Sequence, residues 1–409
     1  MKDSWEVYNV EESCDILDNM RIPLNGEQRA AIPGGVPYYG ANGVQGYISK
    51  YLFDEDLILM AEDGGNFEEY SKRPIAYKIS GKSWVNNHAH ILRAKKGYSQ
   101  DYIFYSVVHK NIIPFIKGGT RSKLNLSDLK CVEIEFPPLP QQKKIAKILS
   151  TVDNVIEKTE SAIAKYQAIK QGLMHDLFTR GIDVTTGKLR PTPQEAPQLY
   201  KESALGLIPR DWEVEELVNL TKLVTDGAHF SPIPQEKGLP IGNVKDMRDS
   251  NFDYDKCTKI LPEVFKLLVR QNCSPIKGDV LLSKDGTIGK VIHFEDDREI
   301  VLLSSIAIIR VNELIDSRYL SWALQSEYFD KALYALLSGS ALKRITLKDI
   351  LKIKLPFSKD IEEQIQIASR LEKIKDKIQT EQQALAKYQQ LKAGLLQDLL
   401  TGKVAVSVD

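Results

Sequence analysis

The amino-acid sequence predicts a mixed α+β protein, in which two globular domains of mixed α/β structure are joined by two long coiled-coil helices in an internal repeat. Three observations predict it. Residues 140–181 and 362–402 align so that Ala164-Lys165-Tyr166-Gln167 falls on Ala386-Lys387-Tyr388-Gln389. Apolar residues in both stretches recur at steps of three and four, which is a helical period. The residues ahead of each stretch hold short apolar runs punctuated by glycine, which is typical of strands and turns.

Residues 1–137 are predicted to form the first globular domain, which is rich in short strands. The apolar run Leu57–Ala61 ends at Asp63-Gly64-Gly65, a turn sequence. Residues 102–116 are apolar enough for a short helix, and residues 118–123 form a glycine-rich basic loop.

Residues 138–181 are predicted to form the first long spacer helix, and residues 358–403 the second. At roughly 40 residues each helix would span ~60 Å. An apolar stripe sustained over about five heptads favours a coiled-coil seam over an ordinary surface helix. The predicted seam consists of Ile145, Leu149, Val152, Ile156, Ile163, Tyr166, Ile169 and Leu173, which align with Ile367, Leu371, Ile374, Ile378, Leu385, Tyr388, Leu391 and Leu395.

The chain between the helices repeats the plan of the first domain after a linker. Residues 182–207 carry three prolines among polar residues, and we predict an extended linker there. Residues 208–357 form the second domain, in which residues 280–286 match the strand and Asp-Gly turn of the first. Residues 339–344 stand where the glycine-rich basic loop stood. Two divergent domains are therefore mounted on two nearly identical helices.

Composition narrows the class of protein. The chain has 409 residues, with 55 basic side chains against 55 acidic ones, so any nucleic-acid surface must be a local patch. Its four cysteines form no CxxC pair, which favours reduced thiols over a disulfide frame or a zinc site. No leader-like segment or run of eighteen apolar residues is present, so we expect a soluble, cytoplasmic protein.

Two copies of one unit on one chain tend to form a pseudo-dimer. Parallel helices would place both domains side by side at one end, whereas antiparallel helices would place them at opposite ends. The antiparallel geometry is similar to that of dimeric DNA readers, whose half-site spacing follows the distance between their reading heads. Unlike heads could then read two unlike half-sites.

Several stretches resemble the specificity (S) subunit of type I restriction–modification enzymes, over essentially the whole chain. No single motif is decisive, but their order and spacing together are specific. The stretches are SWEV (4–7), PYYGANGVQGYISKYLFDEDLILMAEDGG (37–65), SALGLIPRDWEV (203–214), DGAHFSP (226–232), GDVLLSKDGTIGK (278–290) and the two AKYQ helices.

The resemblance implies that each globular domain is a target recognition domain for one half of a bipartite double-stranded DNA sequence. It implies antiparallel spacer helices that fix the gap between the halves. It also implies partners: two modification subunits that methylate adenine with S-adenosylmethionine, and restriction subunits that translocate and cut DNA with ATP. The S subunit of that family carries no active site, so no catalytic residue and no cofactor are expected in this chain.

Motifs for chemistry of the chain's own are consistent with that expectation. No phosphate-binding G-x-x-x-x-G-K-[ST] loop is present. His88 and His90 could share one face of a strand, but no further histidine or cysteine stands near them to complete a zinc site, so we expect no metal. Asp63-Gly64 and Asp285-Gly286 could supply a nuclease carboxylate, although Asp-Gly after a strand more often makes a turn.

The candidate DNA contacts are basic residues in predicted loops, because arginine and lysine supply phosphate affinity and arginine also reads base edges. For each one alone, a solvated surface charge is the better interpretation. The pairs Arg121/Lys123 and Lys343/Arg344 rank highest because both halves place them alike. Tyr38, Tyr39, His229 and Phe230 could reach DNA or belong to the core. The candidates are Lys72, Arg73, Lys95, Lys96, Arg121, Lys123, Lys237, Lys245, Arg248, Lys284, Lys343 and Arg344.

The C-terminal ends of the two helices have a wider apolar face than one partner helix would cover. Met174, Phe178, Leu396 and Leu400 supply the surplus. Such a surface can dock another subunit or pack on the chain's own domains, and both alternatives stay open.

Two rival functions also stay open. A coiled-coil adaptor would never bind DNA, and a self-contained DNA-modifying enzyme would act without partners. Salt-dependent binding to one bipartite duplex would separate the first rival from a specificity subunit. Turnover by the isolated chain would reveal the second.

Overall fold

The computed structural model describes residues 5–117, 122–338 and 344–407. Short strands and helices alternate through the first half of the chain until one long helix begins. The strands are β1 (Glu6–Asn9), β2 (Cys14–Ile16), β3 (Pro33–Gly40), β4 (Gly43–Ile48), β5 (Phe53–Asp54), β6 (Leu57–Ala61), β7 (Ala76–Ile79), β8 (Lys82–Val85), β9 (Ala89–Ala94), β10 (Ile116–Lys117), β11 (Lys123–Leu124) and β12 (Glu133–Phe136). The helices are α1 (Val10–Ser13), α2 (Gly26–Ala30), α3 (Gln100–Val107), α4 (Leu126–Lys130) and α5 (Leu139–Thr179).

The second half also alternates short strands and helices and ends in a long helix. Its strands are β13 (Ile182–Asp183), β14 (Lys188–Leu189), β15 (Tyr200–Ser203), β16 (Gly206–Pro209), β17 (Trp212–Glu216), β18 (Thr221–Asp226), β19 (Leu239–Gly242), β20 (Thr258–Ile260), β21 (Val280–Ser283), β22 (Val291–His293), β23 (Val301–Leu302), β24 (Ile306–Val311) and β25 (Lys354–Ser358). Its helices are α6 (Leu217–Leu220), α7 (Pro262–Arg270), α8 (Ser317–Ala323), α9 (Glu327–Ser338), α10 (Leu347–Leu351) and α11 (Ile361–Leu400).

The chain divides into two compact units, and both long helices pass from one unit into the other. One unit comprises residues 1–161 and 382–409, and the other comprises residues 162–381. Each unit therefore contains the start of one long helix and the end of the other. The boundaries predicted from the repeat remain a prediction, because they divide the chain by sequence rather than by packing.

The first unit is built on an antiparallel four-stranded sheet in the order β2-β9-β6-β7. The central strand β6 is buried along its whole length. One face, with Ile58, packs on α3 and on Ile145 and Leu149 of α5. The other face, with Leu57 and Leu59, packs in a separate cluster toward β8. Burial of the sheet on both faces explains why β6 is a continuous apolar run instead of an alternating one.

The second unit repeats this sheet in the order β18-β24-β21-β22. Here β21 takes the place of β6, and one face of the sheet packs on α8 and on the long helices. The pairing of β1 with β12 is likewise repeated by β17 with β25. The helices α7 and α9 have no helical counterpart among the described residues of the first unit. The predicted repeat of two divergent domains is confirmed at the level of the sheet.

The long helices run antiparallel within each unit, as the resemblance implied. In the first unit, Asp153 of α5 pairs with Lys392 of α11 at 2.6 Å, and Leu399 shares a core with Ile145 and Leu149. In the second unit, the Lys377 ammonium lies 5.7 Å from the centre of the Tyr166 ring, and Phe178 shares a core with Ile367. As the residue number rises along α5, that of its neighbour in α11 falls, which defines antiparallel packing.

Burial along the predicted seam is uneven. Ile145, Leu149, Ile367 and Leu371 are fully buried, because the helix starts enter the domain cores. Ile163 and Ile378 are buried in the middle of the helices. The remaining seam residues are half-buried, with one aligned pair excepted. They are Val152, Ile156, Tyr166, Leu173, Ile374, Leu385, Tyr388 and Leu395.

The exception is the pair Ile169 and Leu391, which are 39% and 51% exposed. Their prediction as buried seam residues is wrong. A straight helix has 3.6 residues per turn, so a stripe with a 3.5-residue period drifts around it, and these two side chains have rotated out of the contact.

The prediction of an extended linker at residues 182–207 is also wrong. This segment forms two hairpins, β13–β14 and β15–β16, and buries Ile182 and Tyr200 in the second unit. The buried carboxylate of Glu363 accepts hydrogen bonds from the Ile182 backbone N–H and from Trp212 Nε1, and it pairs with Arg190. The partner that orders the segment lies far away in sequence, so the local composition gave no sign of it.

No helix within the described ranges has the uninterrupted apolar length that a lipid bilayer would demand.

Candidate nucleic-acid interface

In each unit, the residues that follow the glycine-rich basic loop pair with the Asp-Gly sequence after the central strand. In the first unit the Leu124 N–H donates to the Glu62 carbonyl at 2.8 Å, and Lys123 forms a β-bridge with Asp63. In the second unit the Ile345 N–H donates to the Lys284 carbonyl at 3.0 Å.

The bridge of the second unit joins Asp285 and Arg344. Lys123 and Arg344 therefore occupy equivalent positions. Each belongs to one of the two pairs of basic residues that the sequence ranks highest. Their loop partners Arg121 and Lys343 lie outside the described residues.

The Asp-Gly sequences are turns. Gly64 and Gly286 have φ values of 63° and 71°, in the left-handed region that favours glycine. The chain bends at both glycines, as the turn interpretation requires, and the aspartate before each glycine forms a β-bridge.

A network of charged side chains in the first unit surrounds the buried His90. Arg21 Nη1 lies 2.5 Å from Glu62 Oε2, and Arg21 Nη2 lies 3.3 Å from Asp18 Oδ2. His90 bonds to Asp18 Oδ2 at 2.5 Å through Nδ1 and to the Leu124 carbonyl at 2.8 Å through Nε2. Lys123 completes the network with an ion pair to Glu62 at 3.0 Å.

The charges of this network are balanced internally. Burial raises the pKa of Glu62, but hydrogen bonds from Arg21 and Lys123 outweigh it, so the pKa lies below its ordinary value. Ligand atoms of Asp18, Glu62 and His90 lie within 4.8 Å of one another. The Arg21 guanidinium already supplies the positive charge there, so the group fits an ion-pair network rather than a cation site. His88 bonds elsewhere, to Asp63 at 2.8 Å.

The second unit has different chemistry at the same place. Lys284 stands where Glu62 stands, and its ammonium pairs with Asp226 at 3.1 Å with only 14% of its side chain exposed. Asp226 also bonds His229 Nε2 at 3.0 Å. Lys284 is thus neutralised within the unit and is not a free phosphate contact. Among the described residues no carboxylate pairs with Arg344, which is exposed.

Of the other basic candidates, some form ion pairs or hydrogen bonds within the unit and others are exposed. Arg73 pairs with Glu69 at 3.0 Å, and Arg248 pairs with Asp253 at 2.8 Å. Lys95 donates to the backbone carbonyl of Glu11. The remaining side chains are exposed, namely Lys72, Lys96, Lys237 and Lys245.

The aromatic candidates fall into two groups. Tyr38 is 2% exposed and its hydroxyl accepts from the Leu24 N–H at 3.0 Å, so it belongs to the core and cannot read DNA. Tyr39 is half-buried beside Tyr77, and burial raises its pKa. In the second unit His229 and Phe230 are exposed on the loop after β18, where they remain candidates.

The predicted docking residues pack on the chain's own cores. Phe178 is 2% exposed and its ring lies 5.2 Å from that of Tyr319, so its prediction as a docking residue is wrong. Met174 is half-buried against the same core. Leu396 and Leu400 are half-buried against the core of the first unit. The stripe was wide because each helix end covers a domain as well as the other helix.

Sequence reasoning missed Asp18 and Arg21, which hold the network of the first unit together. Asp18 lies in a short 3-10 turn, and Arg21 ends it. Neither belongs to a motif, and only their contacts with residues far along the chain reveal them.

Comparisons with known proteins agree with the repeat. The family described as type I restriction modification DNA specificity domain has a model that matches residues 2–166 and again residues 209–390. The MjaVIII type I restriction enzyme specificity subunit of Methanocaldococcus jannaschii is 26% identical over 434 residues, covering 99% of this chain and 94% of the relative.

A type I restriction enzyme specificity subunit of Haemophilus influenzae is 26% identical over 368 residues, covering 89% of this chain and 86% of the relative. Among solved structures, the S subunit of a type I restriction–modification system from M. genitalium has a TM-score of 0.65 at 15% identity. That match covers 97% of this chain and 96% of the other, and it is a likeness of fold.

Proposed function

Because the chain belongs to the type I restriction modification DNA specificity family, we propose that it is the non-catalytic subunit that selects the DNA sequence for a type I restriction–modification complex. Each of its two domains binds one half of a bipartite, asymmetric target. The paired helices α5 and α11 set the gap between the halves. The complex acts on DNA in the cytoplasm.

One observation carries this proposal: the same backbone frame holds unlike side chains in the two units. The residue after the loop bridges the Asp-Gly sequence in both units, yet Glu62 stands in one frame and Lys284 in the other. A repeated frame suits one task performed twice. Different charges at equivalent positions suit two different base sequences, because direct readout depends on the pattern of donors and acceptors.

The partners follow from the same proposal. Two modification subunits supply adenine methylation, and restriction subunits supply ATP-driven translocation and cleavage. This chain contributes the recognition surface. Its exposed lysine and arginine side chains supply affinity for the DNA phosphates and the choice of base sequence.

Selection from random DNA duplexes by the chain assembled with its modification subunits tests the proposal. We expect enrichment of one sequence made of two unlike halves with a constant gap, bound less tightly as salt rises. Absence of any enriched sequence would support a coiled-coil adaptor instead. Methylation or cleavage by the purified chain alone, with S-adenosylmethionine and Mg-ATP, would support a self-contained enzyme.

A further inference from the structure

A buried glutamine stands in the first turn of each long helix. Gln142 of α5 is 3% exposed, and Gln364 of α11 is fully buried. The alignment of the two helices places one on the other. A buried amide is unfavourable unless its donors and acceptor are satisfied, so the contacts of these two side chains indicate why glutamine stands there.

Gln142 joins three elements of the first unit. Its Oε1 accepts from the Ser99 backbone N–H at 2.9 Å, and its Nε2 donates to the Pro137 carbonyl at 2.8 Å. Ser99 is the N-cap of α3, and its hydroxyl also accepts from the Tyr102 N–H. Pro137 directly follows β12. The start of the long helix is thereby bonded to the start of α3 and to the end of β12.

Gln364 makes the same connections in the second unit. Its Oε1 accepts from the Asp316 N–H at 2.7 Å, and its Nε2 donates to the Ser358 carbonyl at 2.7 Å. Asp316 is the N-cap of α8, the counterpart of α3, and Ser358 ends β25, the counterpart of β12. A further bond from Nε2 reaches the Leu314 carbonyl at 3.0 Å.

A primary amide satisfies this arrangement in full without any change of protonation. A backbone N–H on one side demands an acceptor, and a backbone carbonyl on the other demands a donor. Leucine offers neither, and an ionised glutamate offers no donor. Apolar contacts also hold the domain to the helix, but they are non-directional, whereas hydrogen bonds weaken steeply with misalignment.

We infer that Gln142 and Gln364 are positioning residues that hold each recognition domain at one angle on its long helix and so restrict the gap between the two DNA half-sites. This inference rests on the proposed function. Among the described residues, no hydrogen bond of either glutamine reaches a candidate DNA contact. Half-site sequence and gap length should therefore separate when the glutamines are changed.

Loss of Gln142 and loss of Gln364 should relax the gap between the half-sites to different extents. In the second unit Glu363, next to Gln364, is fully buried and binds Arg190 and Trp212. Gln141 takes the place of Glu363 in the first unit, is half-buried and has no side-chain hydrogen bond among the described residues. The contacts of Glu363 therefore hold the second domain on its helix in addition to those of Gln364. Loss of Gln142 should relax the gap more than loss of Gln364.

The test compares Gln142→Leu and Gln364→Leu with the neighbouring controls Gln141→Leu and Gln366→Leu, each as the full chain assembled with modification subunits. The substrates are duplexes that carry both half-sites with the gap varied by single base pairs. Loss of the amide should raise methylation at gaps one base pair too short or too long by roughly fivefold relative to the optimum, as expected for one or two hydrogen bonds. The enriched half-sites should not change, and the controls should match the unaltered chain.

A second pair of variants covers poor folding of the leucine forms. Gln142→Met and Gln364→Met keep the unbranched side-chain length but lose both the donor and the acceptor, and the same relaxation is expected. A folded, active complex with an unaltered gap profile in all four variants would overturn the inference, as would a change in half-site sequence. Failure of the unaltered complex to methylate any specific sequence would instead contradict the proposed function.

Discussion

At the scale of single residues, equivalent positions of the two units carry opposite charges, and each charge is paired within its unit. The residue after the central strand is Glu62 in one unit, paired with Arg21 and Lys123. It is Lys284 in the other, paired with Asp226. Each pairing neutralises a charge that would be costly to leave alone near the core. The consequence for binding is unequal, because Lys123 pairs with Glu62, whereas Arg344 pairs with no carboxylate among the described residues.

Arg344→Gln should therefore weaken DNA binding without unfolding the protein. Loss of one phosphate contact should lower the salt slope of binding by about one, and loss of a base contact should also relax one position of one half-site at about 1–3 kcal/mol. Fluorescence anisotropy across a salt series measures both. The matched control is Lys373→Gln, which removes an exposed charge from α11. Identical slopes and affinities for the Arg344 variant and the unaltered chain would exclude this arginine from the interface.

The four cysteines should differ in reactivity. Burial raises the pKa of Cys14 and of Cys257 to about 11 and also raises the pKa of Cys273. Cys131 is exposed. Because the thiolate is the nucleophile, iodoacetamide at pH 8 should label Cys131 first in the folded chain, with mass spectrometry after digestion as the readout. Equal labelling of Cys14 would mean that the core of the first unit opens readily.

At the scale of secondary-structure elements, the sequence predicted what depends on short-range periodicity and missed what depends on distant partners. The stripe along α5 and α11 was visible because a helix repeats its buried face every three or four residues. The hairpins at residues 182–207 were not, since their order depends on Glu363. The helix predicted at residues 102–116 ends at Val107, and Pro114 sits in a 3-10 turn beyond it, where it cannot continue a helix.

The candidate site shows the same division. The equivalence of Lys123 and Arg344 was predictable because both follow glycine-rich loops at matching places in the repeat. The pairing of Lys284 with Asp226, and the burial of Tyr38 and Phe178, depend on which strands become neighbours. A single charged or aromatic residue in a sequence carries no record of that.

Lengthening the two helices should lengthen the preferred gap. Four residues inserted near Lys158 of α5 and four near Lys387 of the antiparallel α11 add ~6 Å to each helix and rotate it by ~40°. DNA advances ~3.4 Å per base pair and turns by ~34° per base pair, so the gap should grow by one or two base pairs. Coiled coils accommodate four-residue insertions by local unwinding.

The readout for the lengthened helices is the methylated sequence chosen from a duplex library with varied gaps. Substituting four exposed residues in the same region without changing length is the control. A folded, active complex that keeps its original gap after the insertion would show that the helices do not set it.

At the scale of the whole molecule, the chain contains one fold twice, with different side chains at equivalent positions. The sheet order is repeated, the β1–β12 pairing is repeated by β17–β25, and the long helices are nearly the same. The helices α7 and α9 and the loop chemistry differ between the halves. Sheets with the same strand order pack on similar helices, whereas two different DNA half-sites require loops with different side chains. This division of variation accounts for the strong match between the helices and the thin match between the domains.

Exchanging residues 1–137 for the corresponding domain of a relative should change one half-site and leave the other half-site and the gap unaltered. The reason is that the exchanged part contains the first loop and its network, while residues 208–357 contain the second. Selection from random duplexes measures the outcome, with a chain rebuilt from its own domain as control. A change in both half-sites would mean that the domains do not read DNA independently.

Mapping methylated adenines across the host genome, with and without the gene, shows whether this chain selects the DNA sequence that a modifying complex methylates. We predict one motif of two unlike halves, separated by a constant gap, that is methylated only when the gene is present. Identical methylation maps from the two strains, with the rest of the modification system expressed, would contradict it.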